Sequence, residues 1–282
     1  MIDINELTVG VCGLGLIGGS MAMAYKEAGV RVLGYDIDEE TLRYTEENEI
    51  IDGILDEKSV SRCDLVLIAL YPQKAIEYLE SIAPFVDKDC MVIDLCGTKS
   101  QVCRRAFEIA RSHGFTFIGG HPMAGKQYSG IRHAKASLFM GAPMVLVPSF
   151  PCDMAMIERA KELFAPVGFG KISVTDAKTH DEIIAFTSQL AHVVSNAYVK
   201  SPTARVHNGF SAGSYKDLTR VAWLNEDMWT ELFLENGEPL LCEIDFIIKS
   251  LTEYRDAIAE GDAERLRSLL RDGRIAKENI DG

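Results

Sequence analysis

The sequence lacks several things that would place it elsewhere. Its seven cysteines, Cys12, Cys63, Cys90, Cys96, Cys103, Cys152 and Cys242, are odd in number and include no C-x-x-C pair. That excludes both a disulfide framework and a zinc site by spacing and points to a reducing compartment. Basic residues are scarce: 29 Lys+Arg stand against 42 Asp+Glu, a formal net charge of -13. Phosphate neutralisation needs concentrated cations, so a general nucleic-acid binder is excluded and docking on anionic lipid is disfavoured. An anionic small substrate is still compatible if Arg, Lys or His cluster locally. There is no internal repeat and no low-complexity tract.

A long hydrophobic span is also missing, although residues 7–25 imitate one. That run is uncharged and carries G-x-x-x-G at Gly15 and Gly19, the spacing of a membrane dimerisation face. It contains five glycines, follows Asp3 and Glu6, and has no basic leader. A strand, a glycine turn and a helix account for it better, and the chain is expected to be soluble and cytoplasmic. With 282 residues and 47% hydrophobic content, about two domains are expected.

What is present is an alternation. Residues 7–12, 30–35, 65–70, 91–95 and 116–118 read as strands, and 17–28, 39–49, 73–85 and 100–113 as helices. Such alternation predicts βαβ units and a mostly parallel sheet, with 65–70 buried on both faces. A strand at 143–147, a helix from Asp153 and a strand at 171–174 extend it. From residue 176 only helical patterns follow, beginning with a long apolar helix over 177–200. The expected organisation is an α/β domain over 1–175 and an all-helical domain over 176–282.

Gly13-Leu14-Gly15-Leu16-Ile17-Gly18 places G-x-G-x-x-G between the first strand and helix. The three glycines permit a tight turn, close approach of a pyrophosphate, and helix–strand packing. The phosphates would sit at the helix N-terminus, which makes the α/β domain over 1–175 a Rossmann-type dinucleotide-binding domain. Asp36 ends the second strand 18 residues after Gly18, where a carboxylate accepts from ribose hydroxyls and repels a 2′-phosphate. The competing reading is a structural turn beside a surface Asp; we take NAD over NADP. Tyr71 and Pro72, after the strand 65–70, join the expected cofactor-binding set.

His121 stands in Gly119-Gly120-His121-Pro122, just past the expected strand 116–118. A histidine there can accept a hydroxyl proton as hydride leaves the same carbon, or it can simply cap loop backbone. In the long helix Ser188 and His192 share a face, with His180 and Asp181 near its start. A helical histidine is more often a packing residue. Arg220 could hold a carboxylate bidentately or be an ordinary surface arginine. Lys99, Lys126 and Arg132 lie near the presumed cleft, where a solvated charge is the default.

Taken together, the segments 13–20 (GLGLIGGS), 94–99 (DLCGTK), 120–130 (GHPMAGKQYSG), 180–192 (HDEIIAFTSQLAH), 215–222 (YKDLTRVA) and 228–238 (MWTELFLENGE) resemble the prephenate/arogenate dehydrogenase family over essentially the whole chain. The resemblance implies NAD-dependent oxidative decarboxylation of a cyclohexadienol, giving 4-hydroxyphenylpyruvate from prephenate or tyrosine from arogenate. It maps the hydroxyl-binding histidine to His121, the helical active-site histidine to His192 and the carboxylate-binding arginine to Arg220. It also implies a homodimer formed through the helical domain. Two departures stand out. Gly97 replaces a family serine, leaving Thr98 or a water for its role, and Lys126-Gln127 replaces Ser/Thr-Glu, adding positive charge for an anionic substrate. Two other readings compete: a β-hydroxy-acid dehydrogenase, weakened because the helix 177–200 has lysines only near its ends, and a non-catalytic NAD sensor. Some relatives add a ferredoxin-like regulatory module, for which the charged tail 261–282 is too short. A heptad seam of Leu240, Ile244, Ile247, Leu251, Tyr254 and Ile258 fits either a dimer contact or the core of a bundle.

Overall fold

The computed structural model describes residues 4, 6–126, 128–151, 153–207 and 209–281. Asp3, Gln127, Cys152 and Gly282 lie outside the described residues. The alternation becomes strands β1 (Thr8–Cys12), β2 (Arg31–Tyr35), β3 (Gly53–Ile54), β4 (Leu65–Ile68), β5 (Met91–Asp94) and β6 (Thr116–Pro122). Between them run helices α1 (Leu16–Glu27), α2 (Glu39–Glu47), α3 (Pro72–Ile82) and α4 (Ser100–His113). Strand β7 (Pro143–Pro148), helix α5 (Met154–Phe164) and strand β8 (Lys171–Val174) complete one sheet of eight strands. Its order is β3-β2-β1-β4-β5-β6-β7-β8, parallel throughout except for the antiparallel pair β6–β7.

The two central strands β4 and β5 are wholly buried, as a sheet covered on both faces requires. One apolar layer joins α1 and α5 to the sheet; the other joins α3 and α4 to it. Side chains set several helix starts. Asp38 accepts from the Glu40 and Thr41 amides, Asp153 from Ala155, and Asp176 from Thr179.

Residues 7–25 form strand, turn and helix, and no described helix is long and apolar enough to cross a membrane. Two expectations need correction. Strand β6 does not stop at Ile118 but continues to Pro122, so His121 lies within a strand, opposite Val145 of β7. The Gly pair hid this, because glycine is a poor strand former by propensity; pairing with β7 overrides it. The two-residue β3 was not anticipated, being too short to show a period.

Beyond β8 the described chain is helical. α6 (Ala177–Ile184), a π-helical segment (Ala185–Leu190) and α7 (Ala191–Tyr198) form the long helix expected over 177–200. Then come α8 (Gly213–Thr219), α9 (Glu226–Glu235), α10 (Gly237–Glu260) and α11 (Ala263–Asp281).

Candidate active site

The glycine turn has the geometry its spacing implies. Gly13 holds φ +83°, and a Cβ on Gly18 would fall 1.8 Å from the Gly13 carbonyl oxygen. A Cβ on Gly15 would meet nothing, so open space faces the turn, and α1 begins there without a side-chain cap. Unoccupied amides at a helix start facing open space suit a phosphate. Asp36 is drawn against this turn: its Oδ2 accepts from the Leu14 amide at 2.7 Å and its Oδ1 from the Asp38 amide at 3.0 Å. The Leu14 amide is therefore engaged by Asp36, and the Leu14 side chain is buried, whereas Leu16 and Ile17 are partly exposed. Tyr71 caps α3 and is exposed, with Pro72 buried at the first helical position beyond the carboxyl end of β4. These residues fit a dinucleotide.

The chemistry-bearing side chains gather beyond the carboxyl end of β5, around the last residues of β6. His121 Nδ1 lies 2.9 Å from His180 Nε2, and His180 Nδ1 lies 2.7 Å from Asp181 Oδ1. A carboxylate can only accept, so His180 donates from Nδ1 and its Nε2 accepts from His121 Nδ1–H. That assignment leaves the lone pair of His121 on Nε2, the atom a substrate can reach. Asp181 is fixed in turn by the Lys99 and Ser100 amides at the start of α4, both at 2.8 Å, and the Asn236 amide group donates to the Asp181 carbonyl at 2.8 Å. Burial opposes the charge on Asp181, but His180 and Ser100 hold its carboxyl below the usual carboxylate value. Burial drives His121 well below the ordinary histidine value, and the charges of His180 and Lys99 add to it; burial also lowers His180.

Beneath His121 lies a fully buried ion pair, Lys99 with Asp94. Burial works against the ammonium, yet Asp94 keeps it charged above the ordinary lysine value. Asp94 also accepts from the Cys96 amide at 3.0 Å and the Gly120 amide at 3.3 Å. A Cβ on Gly119 would lie 2.4 Å from Cys103 Sγ, and one on Gly120 would lie 2.6 Å from the Asp94 carbonyl oxygen. The Gly pair is what allows β6 to pass this close.

Helix α9 forms the wall facing this cluster. Trp229 packs at a tilt against His192 with ring centroids 3.9 Å apart, the Leu232 methyl groups occupy the space in front of Gly97, and Glu235 accepts from the Thr98 hydroxyl at 2.6 Å. These three residues recur every three positions on one helix face, so the His192 and Thr98 ends stand about 9 Å apart along its axis. Burial raises the Glu235 carboxyl above its ordinary value. His192 donates from Nδ1 to the Ser188 carbonyl at 2.8 Å; burial depresses its pKa, and the neighbouring charge of Arg220 depresses it further.

The structure thus brings His121 together with His180 and Asp181, and His192 with Arg220. The Thr98 hydroxyl is committed to Glu235, and Lys126 is exposed with its ammonium donating to the His133 carbonyl at 3.3 Å. The His180–Asp181 pair, Trp229 and Glu235 were not singled out as site residues. The first pair meets His121 across 59 positions of chain, which no local spacing announces. Trp229, one of only two tryptophans, stood in a matched segment and was the available signal. The described cysteines are free, and among the described residues no group of three or more His, Cys, Asp or Glu could hold a metal ion.

Comparison with known proteins agrees with this plan. Residues 21–173 match the family model for the prephenate dehydrogenase nucleotide-binding domain, and 176–272 match that for the prephenate dehydrogenase dimerization domain. The chain is similar to a prephenate dehydrogenase of Bacillus subtilis (30% identical over 98% of this chain and 76% of that protein). It is equally similar to a cyclohexadienyl dehydrogenase of Zymomonas mobilis (30% identical over 95% and 94%). Among solved structures, the prephenate dehydrogenase of A. aeolicus in complex with hydroxyphenyl propionate and NAD+ superposes with a TM-score of 0.81 at 26% identity, covering 98% of both chains. The protein belongs to the prephenate/arogenate dehydrogenase family of NAD-dependent oxidoreductases.

Proposed function

We propose that this enzyme oxidatively decarboxylates prephenate to 4-hydroxyphenylpyruvate, the tyrosine-biosynthetic reaction, with NAD as its cofactor. The observation that carries the reading is the His121–His180–Asp181 chain. It delivers an unprotonated, oriented Nε2 near the carboxyl end of β6, past the end of β5, where a cyclohexadienol bound beside a dinucleotide would present its hydroxyl. When bound, NAD supplies the hydride acceptor. His121 Nε2 takes the hydroxyl proton, and the donated Nδ1–H to His180 keeps the ring in that tautomer. Asp181 stabilises the positive charge that then spreads over the two imidazoles. Arg220, beside His192 near the far end of the α9 wall, binds a substrate carboxylate, while Trp229 packs on His192 and closes that end. Gly97, Thr98 and Lys126 complete the proposed substrate contacts, with Leu232 covering the place left open at Gly97. Gly13, Gly15, Leu16, Ile17, Gly18, Asp36, Tyr71 and Pro72 hold the cofactor, and Leu14 serves by fixing Asp36 against the turn. We also propose the division into a cofactor domain over 1–175 and a helical substrate-binding and dimer-forming domain over 176–282.

Relatives named for prephenate favour that substrate; the relative named for cyclohexadienyl compounds keeps arogenate as the second reading. The test is direct. Purified protein with NAD and either substrate is followed by NADH absorbance, with carbon dioxide release measured in parallel. Turnover of prephenate with NAD at much higher kcat/KM than with NADP or with arogenate is expected. Turnover of neither substrate would sink the proposal.

A further inference from the structure

The segment between β6 and β7 carries Lys126, Arg132, His133 and Lys135, a local concentration of cationic and titratable groups in a chain of net charge -13. It is braced tightly. Gly130 adopts φ +90°, Tyr128 stacks on His133, and Lys126 holds the His133 carbonyl. Ile131 is buried, and a Cβ on Gly19 would come within 2.3 Å of its Cδ1. The Lys135 amide donates to Ser20 Oγ at 3.0 Å. The backbone of Arg132 is thereby fixed against one flank of α1, a turn inside the glycine fingerprint.

Its side chain goes elsewhere. The guanidinium reaches Glu40 Oε1 at 3.3 Å and sits over the Tyr44 ring, 5.0 Å from its centroid. Both belong to α2, which follows β2, whereas α1 joins β1 to β2. To connect these anchors, Arg132 must pass outside α1 at the level of its first turns. Asp36 is itself held against the glycine turn by the Leu14 amide, and Glu40 follows it by four residues, so the guanidinium is anchored within a few residues of that turn. The rim it reaches is acidic, with Asp36, Asp38, Glu39 and Glu40 in close succession, and is a poor setting for a dianionic pyrophosphate without a nearby cation. Glu40 and Arg132 are both well exposed, so the pair contributes little and can be exchanged for a better anion.

We propose that Arg132 is a cofactor-clamping residue, leaving Glu40 and Tyr44 to bind the pyrophosphate of the dinucleotide when it occupies the glycine turn. This rests on the NAD reading above and adds a residue that the glycine fingerprint does not contain. The bound phosphate replaces the carboxylate as the partner of the guanidinium, whose fork can make a bidentate contact where Glu40 takes only one.

The test is calorimetric titration with ADP-ribose and with adenosine, neither of which can turn over. Arg132→Ala is expected to weaken ADP-ribose binding about tenfold, the loss of one charge-assisted contact, and to leave adenosine affinity unchanged. Arg132→Lys should fall between the two. Glu40→Gln should tighten ADP-ribose binding about two- to fivefold, because the competing carboxylate is gone. An ADP-ribose affinity in Arg132→Ala within twofold of the parent overturns the clamp. Equal weakening of adenosine assigns the effect to the base and overturns it as well. Loss in Glu40→Gln matching that in Arg132→Ala would reduce the pair to a loop brace. Failure of the parent protein to bind ADP-ribose would instead overturn the dinucleotide reading itself, which separates the two failures.

Discussion

At the scale of single residues, orientation matters more here than proximity. His121 can serve as a base only if its proton is on Nδ1, and that is decided two residues away by a carboxylate that can only accept. His121→Asn keeps a donor toward His180 but removes the proton acceptor, so kcat is expected to fall ~10²–10⁴-fold with little change in substrate KM. An undiminished kcat would move the base elsewhere. The sign of the pH dependence follows from the depressed pKa. The neutral ring is the active form, so kcat in the parent enzyme should hold at pH 6.5 and decline only further into acid. An acid limb centred at or above 6.5 would contradict an uncharged base. Arg220→Gln addresses the other end of the site. It should raise substrate KM about tenfold, the loss of one charge-assisted contact from an exposed arginine, while the Kd for NAD stays put. An unmoved KM would assign the carboxylate to other residues. At this scale the glycines and Asp36 were legible because they act through local backbone geometry. The role of His180 was not, because it depends on a partner in another part of the fold. Glu235 was invisible for the same reason, its hydroxyl donor Thr98 being 137 positions away.

At the scale of elements, alternating apolar runs and amphipathic stretches gave the sheet, because each strand buried on both faces has to be written in apolar residues. Orientation of the pair β6–β7 could not be read that way, since parallel and antiparallel neighbours bury the same side chains. Yet this pairing holds His121 in a strand rather than a loop. The long helix presents the same difficulty. Its apolar pattern predicts a helix over 177–200, and the structure confirms it, but the π-helical turn at Ala185–Leu190 leaves no mark in composition. Such a turn holds one extra residue relative to α-helical winding. It therefore sets the angle between His180 at one end and His192 at the other. Inserting one alanine after Thr187, an exposed residue of that turn, adds a second extra residue that the turn cannot absorb and should rotate everything after it by about 100°. The expected variant binds NAD normally but has a strongly raised substrate KM and little turnover. Unchanged kinetics after the insertion would show that the winding of this helix has no part in aligning the two histidines.

At the scale of the molecule, the two halves differ in how they are held together. The sheet has extensive apolar layers on both faces, whereas the helices after β8 share a buried apolar cluster of only Ala185, Leu190 and Leu240, with Val193, Val194, Phe233, Ile244 and Ile247 partly buried around it. The seam expected along α10 divides accordingly. Leu240, Ile244 and Ile247 pack inward, while Leu251 and Ile258 are 60% and 64% exposed. Leu241 and Ile248 join them at 60% and 56%, giving an outward stripe spaced 7, 3 and 7 along the helix. Phe246 at 69% and Trp223 at 72% add large apolar surface to the same set of helices. A helix exposing apolar side chains at heptad-like spacing has an interface to complete, and a contiguous apolar patch of this kind marks an association surface. The match of residues 176–272 to a dimerization-domain model agrees with this. We therefore expect a homodimer in solution, with a light-scattering mass near twice 31.1 kDa at micromolar concentration. Because folding of the helical half is then linked to association, its melting temperature should rise with protein concentration. A double change of Leu251 and Ile258 to Glu should yield monomers whose sheet still binds NAD but whose helical half, and with it the alignment of His180 on His121, is destabilised. A monomeric mass for the unaltered protein, or a melting temperature indifferent to concentration, would mean that the exposed stripe serves some other contact.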